Sequence, residues 1–358
     1  MGLTDAPPAF VVPGDVTAPT GGNVWDRQVR DTWAAAGEGP GWHPVPGAWP
    51  VPSPADEAQL AAVLAGQPDG ASVLVDGLVA CGAPDVVVPA AARLRLGVVV
   101  HLPLALEGGL DVAAAAARDH AERRVLAAAA VVVVTSRWTA DRLARHPLRR
   151  PPVVAAPGTA PAVLHPDATA AGWHLLCLGS VTPRKGQRLL LQALAGLVRS
   201  AVPDGDPGWR LQVVGPHPRA DEVAALRREV DAAGLGGQVE VTGPLVGPEL
   251  EQRWRWADLL VVPSLVETFG MVVTEALARG RPVLATTGSG LSEALGRTAD
   301  GPPGLLVPPG EPVALGGALH RWLTEEPLRA DLRARARARA GTLGGWDETA
   351  AAVRAAFT

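Results

Sequence analysis

The sequence of 358 residues has no isoleucine and no tyrosine, and it uses lysine, asparagine and internal methionine once each, as Lys185, Asn23 and Met271. Alanine, glycine, proline, valine and arginine fill their places, the bias of a GC-rich gene. Each rare residue therefore stands out. Only two cysteines occur, Cys81 and Cys177, too far apart for a CxxC or zinc spacing, so a disulfide framework is excluded and a reducing compartment is expected. Apolar runs are short: 98–106 and 125–134 are the longest, well under the ~20 residues of a membrane-spanning helix. Residues 1–10 lack the basic start and apolar core of a signal peptide. A soluble, cytoplasmic protein is expected. Excess charge is missing too: 15 acids and 12 bases precede Val163, and 21 and 20 follow. Neither half is a polycation, which argues against nucleic acid as a partner. With 47% hydrophobic and 19% charged residues, the chain has enough apolar surface to fold. No P-loop, HExxH or Ser-His-Asp arrangement is present.

What is present is an alternation of short apolar runs with helical stretches, the pattern of parallel sheets covered by helices. In the first half, 9–12, 72–75, 97–100 and 131–135 read as buried strands. A glycine-rich turn at Thr20, Gly21 and Gly22 precedes a helix over 24–36, and helices follow at 112–129 and 139–145. The proline-rich stretch 153–166 reads as a strand end plus a linker. The second half restarts the pattern with strands at 174–178, 211–214, 239–241, 259–262 and 282–285, and helices at 187–199 and 223–233. Length also favours two domains. The expected fold class is α/β, with two Rossmann-like domains facing each other across a ligand cleft at the carboxyl ends of their strands. The Arg-Ala alternation over 333–340 predicts a solvated helix without one basic stripe.

The most informative stretch is PSLVETFGMVVTEALARGRPV. Glu267 lies in the loop after the 259–262 strand, Gly270 permits close backbone approach, and a helix begins near Met271. The unpaired amides and partial positive charge of that helix start suit a diphosphate. Glu275 falls one to two turns further on. Two carboxylates aimed at one polyol can each accept hydrogen bonds from its hydroxyls. His101 ends the 97–100 strand, where a side chain meets a ligand crevice. Gly21 and Gly22 allow close backbone approach, with Asn23 beside them. Arg123 and Arg124 read as helix surface by default, with a place facing the cleft as the alternative.

Glu267 and Glu275, with seven residues between them, resemble the signature of retaining glycosyltransferases of family 4, the actinobacterial-like group 1 type, which have the GT-B fold. TGGNVWDR, VVHLPL, LGSVTPRKGQRLLLQAL and GLLVPPGEPVALGGAL follow in that family's order, so the likeness spans nearly the whole chain. It implies an acceptor-binding domain over 1–162, a donor-binding domain over 163–340, and a helix in 341–358 packing back on the first domain. By the same resemblance Glu267 holds hydroxyls of the transferred sugar, Glu275 the nucleotide ribose, and Lys185 the diphosphate. Thr268 and the amides of Phe269, Gly270 and Met271 lie near phosphate and sugar, Gly21, Gly22 and Asn23 approach the donor phosphate, and His101 lies near the reacting carbon. The implied catalytic set is His101, Lys185 and Glu267. Ser180 stands where the family often has arginine, and Arg184 is the neighbouring candidate for the second cation.

The resemblance implies a metal-independent transfer with no cofactor, the nucleotide-diphosphate sugar being a substrate and the acceptor a small molecule, glycan or lipid-linked sugar. No nucleophile stands out, so retention is expected to follow a front-face path. A nucleotide-sugar epimerase or hydrolase of the same fold, and a non-catalytic nucleotide-sugar-binding protein, are the alternatives. Peripheral membrane contact stays open.

Overall fold

The computed structural model describes residues 7–166, 172–200, 208–218 and 220–358. The chain divides into two compact units, residues 1–158 with 344–358, and residues 159–343. Each is built on one six-stranded sheet whose strand pairs are all parallel.

The first sheet comprises β1 (Ala9–Pro13), β2 (Trp42–Val45), β3 (Ser72–Asp76), β4 (Arg95–Val100), β5 (Val131–Val134) and β6 (Val153–Val154), in the order β2-β1-β3-β4-β5-β6. Helices cover both faces, so both parities of each strand are apolar. Phe10, Val12, Leu74, Val99 and Val133 face one layer, and Val11, Val73, Val75, Val98 and Val100 the other. The last helix, Trp346–Ala355, belongs to this unit. Its backbone is tied in by Trp33 Nε1, which donates to the Ala350 carbonyl at 3.2 Å, while Thr349 Oγ1 donates to the Ala156 carbonyl at 2.7 Å.

The second sheet comprises β7 (Trp173–Leu178), β8 (Trp209–Val214), β9 (Val239–Val241), β10 (Leu259–Val262), β11 (Val283–Thr286) and β12 (Gly304–Val307), in the order β12-β11-β10-β7-β8-β9. The chain lays β8 and β9 on one side of β7, then returns to lay β10, β11 and β12 on the other. The direction of winding therefore reverses between β7 and β10, and in the first sheet between β1 and β3. Loops diverge at such a reversal and leave a crevice at the carboxyl ends of the strands.

Three local expectations change. Gly21 and Gly22 do not form a turn but open the helix Gly21–Ala35, because Thr20 caps it, its hydroxyl accepting from the Asn23 amide at 3.3 Å. Strand β2 and the helix Pro54–Ala65, started by a Ser53/Asp56 capping box, add to the elements read from sequence. The Arg-Ala run does form a helix, Glu326–Ala340, but it is not simply solvated. The Arg333 guanidinium lies 5.4 Å from the Trp173 ring centre and 5.7 Å from that of Trp322, and 3.6 Å from Asp258. Cys81 and Cys177 are buried free thiols. Among the described residues no helix is long and apolar enough to cross a membrane.

Candidate functional site

In the second unit the loops after β7 and β10 emerge side by side at the reversal. The first runs through Gly179 and Ser180 into a single 3-10 turn, Pro183–Lys185, and Gly186 at φ 69°. A Cβ on Gly186 would overlap the Pro263 carbonyl, so only glycine lets the two loops touch. The Leu265 amide then donates to the Arg184 carbonyl at 2.7 Å, and Gln187 Nε2 to the Ser180 carbonyl at 2.9 Å. This contact brings three groups onto one carboxylate. Lys185 Nζ pairs with Glu267 Oε1, Arg184 Nη1 approaches Oε2 at 3.4 Å while donating to the Val266 carbonyl at 2.8 Å, and Ser264 Oγ donates to Oε1 at 2.9 Å. Arg184 thus points into the site.

Glu267 is 6% exposed. Burial alone would raise its carboxyl, but the charges of Lys185 and Arg184 outweigh that and hold it below the usual glutamate range. A depressed value stabilises the fold above the unfolded pKa of about 4.3, and that stabilisation is lost as pH falls through the folded value. Thermal unfolding of wild type and Glu267→Gln should therefore differ most near neutral pH, and the gap should close in acid. A gap that ignores pH would contradict this assignment.

Gly270 at φ 91° precedes the helix Met271–Ala278, whose first amides receive no side-chain cap. The Val273 amide donates to the Gly270 carbonyl at 2.9 Å, which leaves those of Met271 and Val272 to meet an anion. Phe269 is buried, whereas Thr268, Gly270, Met271 and Glu275 are partly exposed. Burial raises the Glu275 carboxyl, and among the described residues no donor is bonded to it. Three residues that sequence reasoning missed complete the site: Ser264, Thr286, whose hydroxyl donates to the Ser264 carbonyl at 2.6 Å, and Gly290, whose amide donates to the Glu267 carbonyl at 2.8 Å. The serine following β10 and the glycines of TTGSG were the available signals.

The first unit holds a separate cluster. His101, just past β4, meets Asp26 of the Gly21–Ala35 helix and Asp76 at the end of β3, its Nε2 lying 2.8 Å from Asp26 Oδ1 and 3.4 Å from Asp76 Oδ2. Gly22 packs against the ring, where a Cβ would sit 3.0 Å from His101 Cδ2. Gly21 is exposed, with open space around it. The Asn23 side-chain amide donates to the Asp15 carbonyl at 2.6 Å and the Ala18 carbonyl at 3.2 Å, which ties it to the loop before its helix. Arg123 and Arg124 are occupied at the helix surface by Asp119 and Asp85.

Comparison with known proteins gives these clusters a context. Residues 172–325 match the family model of the glycosyl transferases of group 1. The group 1 segment contains Arg184, Lys185, Glu267 and Glu275, and the resemblance to group 1 enzymes read from the sequence is borne out. A D-inositol 3-phosphate glycosyltransferase of Jonesia denitrificans is 37% identical over 179 residues, 50% of this chain and 41% of that protein. One of Streptomyces bingchenggensis is 32% identical over 262 residues, 68% of this chain and 56% of that protein. The chain thus spans about half the length of these curated relatives. Among solved structures, sucrose-phosphate synthase of Thermosynechococcus elongatus aligns with a TM-score of 0.76 at 23% identity, covering 96% of each chain. Anabaena HepE in complex with UDP-glucose aligns at 0.74 and 18%, covering 97% of this chain and 98% of that one. The α/β fold class of two Rossmann-like units, of the GT-B type, is borne out by these likenesses.

Proposed function

We propose that this chain transfers a hexose from a nucleotide-diphosphate sugar to an acceptor hydroxyl, with retention at the anomeric carbon and without a bound metal. The observation that carries the reading is the convergence of Lys185, Arg184 and the uncapped start of the Met271–Ala278 helix on Glu267, at the winding reversal of the second sheet. A diphosphate arriving there draws Lys185 and Arg184 away from Glu267, which frees the carboxylate to accept from the sugar's hydroxyls. The two cations and the helix amides then meet the charge that builds on the leaving diphosphate, the stabilisation that usually dominates such a step. Glu275 offers an unoccupied acceptor to the ribose. In the front-face path the acceptor oxygen bonds to the anomeric carbon on the side from which the diphosphate departs, and its proton passes to the departing phosphate oxygen.

UDP is the first nucleotide to try, because the Anabaena neighbour is described with UDP-glucose. D-inositol 3-phosphate is the first acceptor, because it appears in the names of the curated relatives. The test is turnover of UDP-sugars and GDP-sugars in EDTA, with and without that acceptor, together with the anomeric configuration of the product. Acceptor-dependent release of nucleotide diphosphate and a retained linkage are expected. Equal turnover without acceptor would favour an epimerase or hydrolase, ligand-induced thermal stabilisation without turnover would favour a binding protein, and loss of activity in EDTA would overturn metal independence.

A further inference from the structure

Asp26, Asp76 and His101 are the one group among the described residues whose donor atoms, two carboxylates and an imidazole, lie within 4.8 Å of one another as a metal site would require. The fold explains their meeting. β1 and β3 flank the reversal of the first sheet; Asp76 is the last residue of β3, His101 follows the neighbouring β4, and the helix that leaves β1 carries Asp26 one turn beyond Gly22. Three residues of that helix turn meet the imidazole: Gly22 abuts the ring, Trp25 meets it edge-on with centres 5.2 Å apart, and Asp26 reaches Nε2. Asp26 and Asp76 are 1% and 2% exposed, yet Asp26 Oδ2 has no hydrogen-bond partner. Two carboxylates have therefore been buried together with one imidazole between them and water.

We propose that Asp26, supported by Asp76, is the positioning residue of His101, holding the ring by Nε2 and leaving Nδ1 as the nitrogen that acts. The inference rests on the sugar-transfer reading for what His101 meets, and on geometry alone for how His101 is held. A histidine flanked on one nitrogen by carboxylate has its tautomer and ring orientation fixed by that bond. The electrostatics agree. Burial lowers the imidazole's affinity for a proton, but Asp26 and then Asp76 more than reverse this and raise it. Burial, followed by the charge of Asp26, pushes the Asp76 carboxyl up to about 7. Other titratable groups stand further back: Cys81 beside Asp76, and beyond it Glu122, whose carboxylate accepts from the Leu104 amide. Asp76 is itself fixed by the Leu78 amide, which donates to Oδ1 at 2.6 Å.

The decisive measurement is the imidazole titration of His101 by NMR in the ligand-free full chain, assigned with His101→Gln and compared among wild type, Asp26→Asn and Asp76→Asn. His101 in wild type should titrate above about 6.5 and should move to lower pH in Asp26→Asn, less so in Asp76→Asn. In steady-state kinetics Asp26→Asn should lower kcat by about 10- to 100-fold, the size found for outer partners that orient a ligating histidine. Donor KM should change little, the alkaline limb of kcat should shift to lower pH, and Asp26→Glu should restore part of the rate. An unmoved His101 titration in both Asn variants overturns the proposal whatever the activity, as does Zn²⁺ or Mn²⁺ binding to wild type that Asp26→Asn abolishes. A titration that moves in a chain with no sugar-transfer activity keeps the positioning and overturns the functional reading instead.

Discussion

Replacing Lys185 with alanine is expected to lower kcat/KM by about 10²- to 10³-fold, the usual cost of removing one preorganised group from the site of developing charge. The fold should survive, because Glu267 keeps Arg184 and the Ser264 hydroxyl as partners. Lysine-to-arginine replacement should rescue little. Lysine is a compact point charge on a flexible stem, while arginine is a longer, bulkier planar fork. Here the lysine stem runs past Gly179, where even a Cβ would sit 3.7 Å from its Cδ and Cε, and the neighbouring approach to Glu267 is already taken by Arg184. The measurement is steady-state kinetics with the best UDP-sugar, paired with thermal shifts on adding UDP. Stabilisation by nucleotide should fall with the rate, since a ligand stabilises the folded state by an amount that grows with the logarithm of its affinity. A Lys185→Ala enzyme within threefold of wild type would remove the diphosphate from this position.

The residues that made this site visible in the sequence are those whose chemistry is local. A glutamate after a buried strand, a glycine next to it and a helix start can be read from a dozen positions, and so can a lone lysine in a chain that otherwise uses arginine. Buried parallel strands were equally legible, because apolar residues on both faces leave continuous runs such as Val131–Val134. Strand β2 was not: it reads Trp-His-Pro-Val, lies at the sheet's edge and carries Pro44, so it has neither an apolar run nor a full set of ladder donors.

Legibility ended where long-range packing decides a side chain's direction. Arg184 and Asn23 are both polar residues within two positions of a glycine, yet one turns to Glu267 across 83 positions and the other turns back on its own loop. The first outcome is set by the distant contact of Gly186 with Pro263, whereas the second is set locally, where Thr20 caps the helix. Asp26 was invisible for the same reason. A helix residue that looks like one more solvent charge becomes buried only because the strand order brings Asp76 and His101 beneath it.

Gly290→Ala should be a strongly damaging single-methyl change near the site. A Cβ there would overlap the Thr268 carbonyl and press on the Phe269 amide, both backbone atoms that no rotamer change can move away. Relief requires shifting the whole 264–270 loop, which the Gly290 amide anchors through the Glu267 carbonyl. Overpacking of this kind costs about 1–3 kcal/mol, and at roughly 2–4 °C per kcal/mol for a domain of this size the melting temperature should fall by several degrees. Activity should suffer more than stability, because misplacing reacting groups by about 1 Å can cost on the order of 10²-fold in rate. Gly317→Ala is the matched control: Gly317 is exposed in the helix Pro312–Thr324, and its added Cβ meets nothing within 4 Å. That change should leave activity alone and raise the melting temperature slightly, since alanine is favoured over glycine in a helix by about 1 kcal/mol. If Gly290→Ala matched Gly317→Ala in both melting temperature and donor KM, the 264–270 loop would not be held by Gly290, and the placement of Glu267 would need another cause.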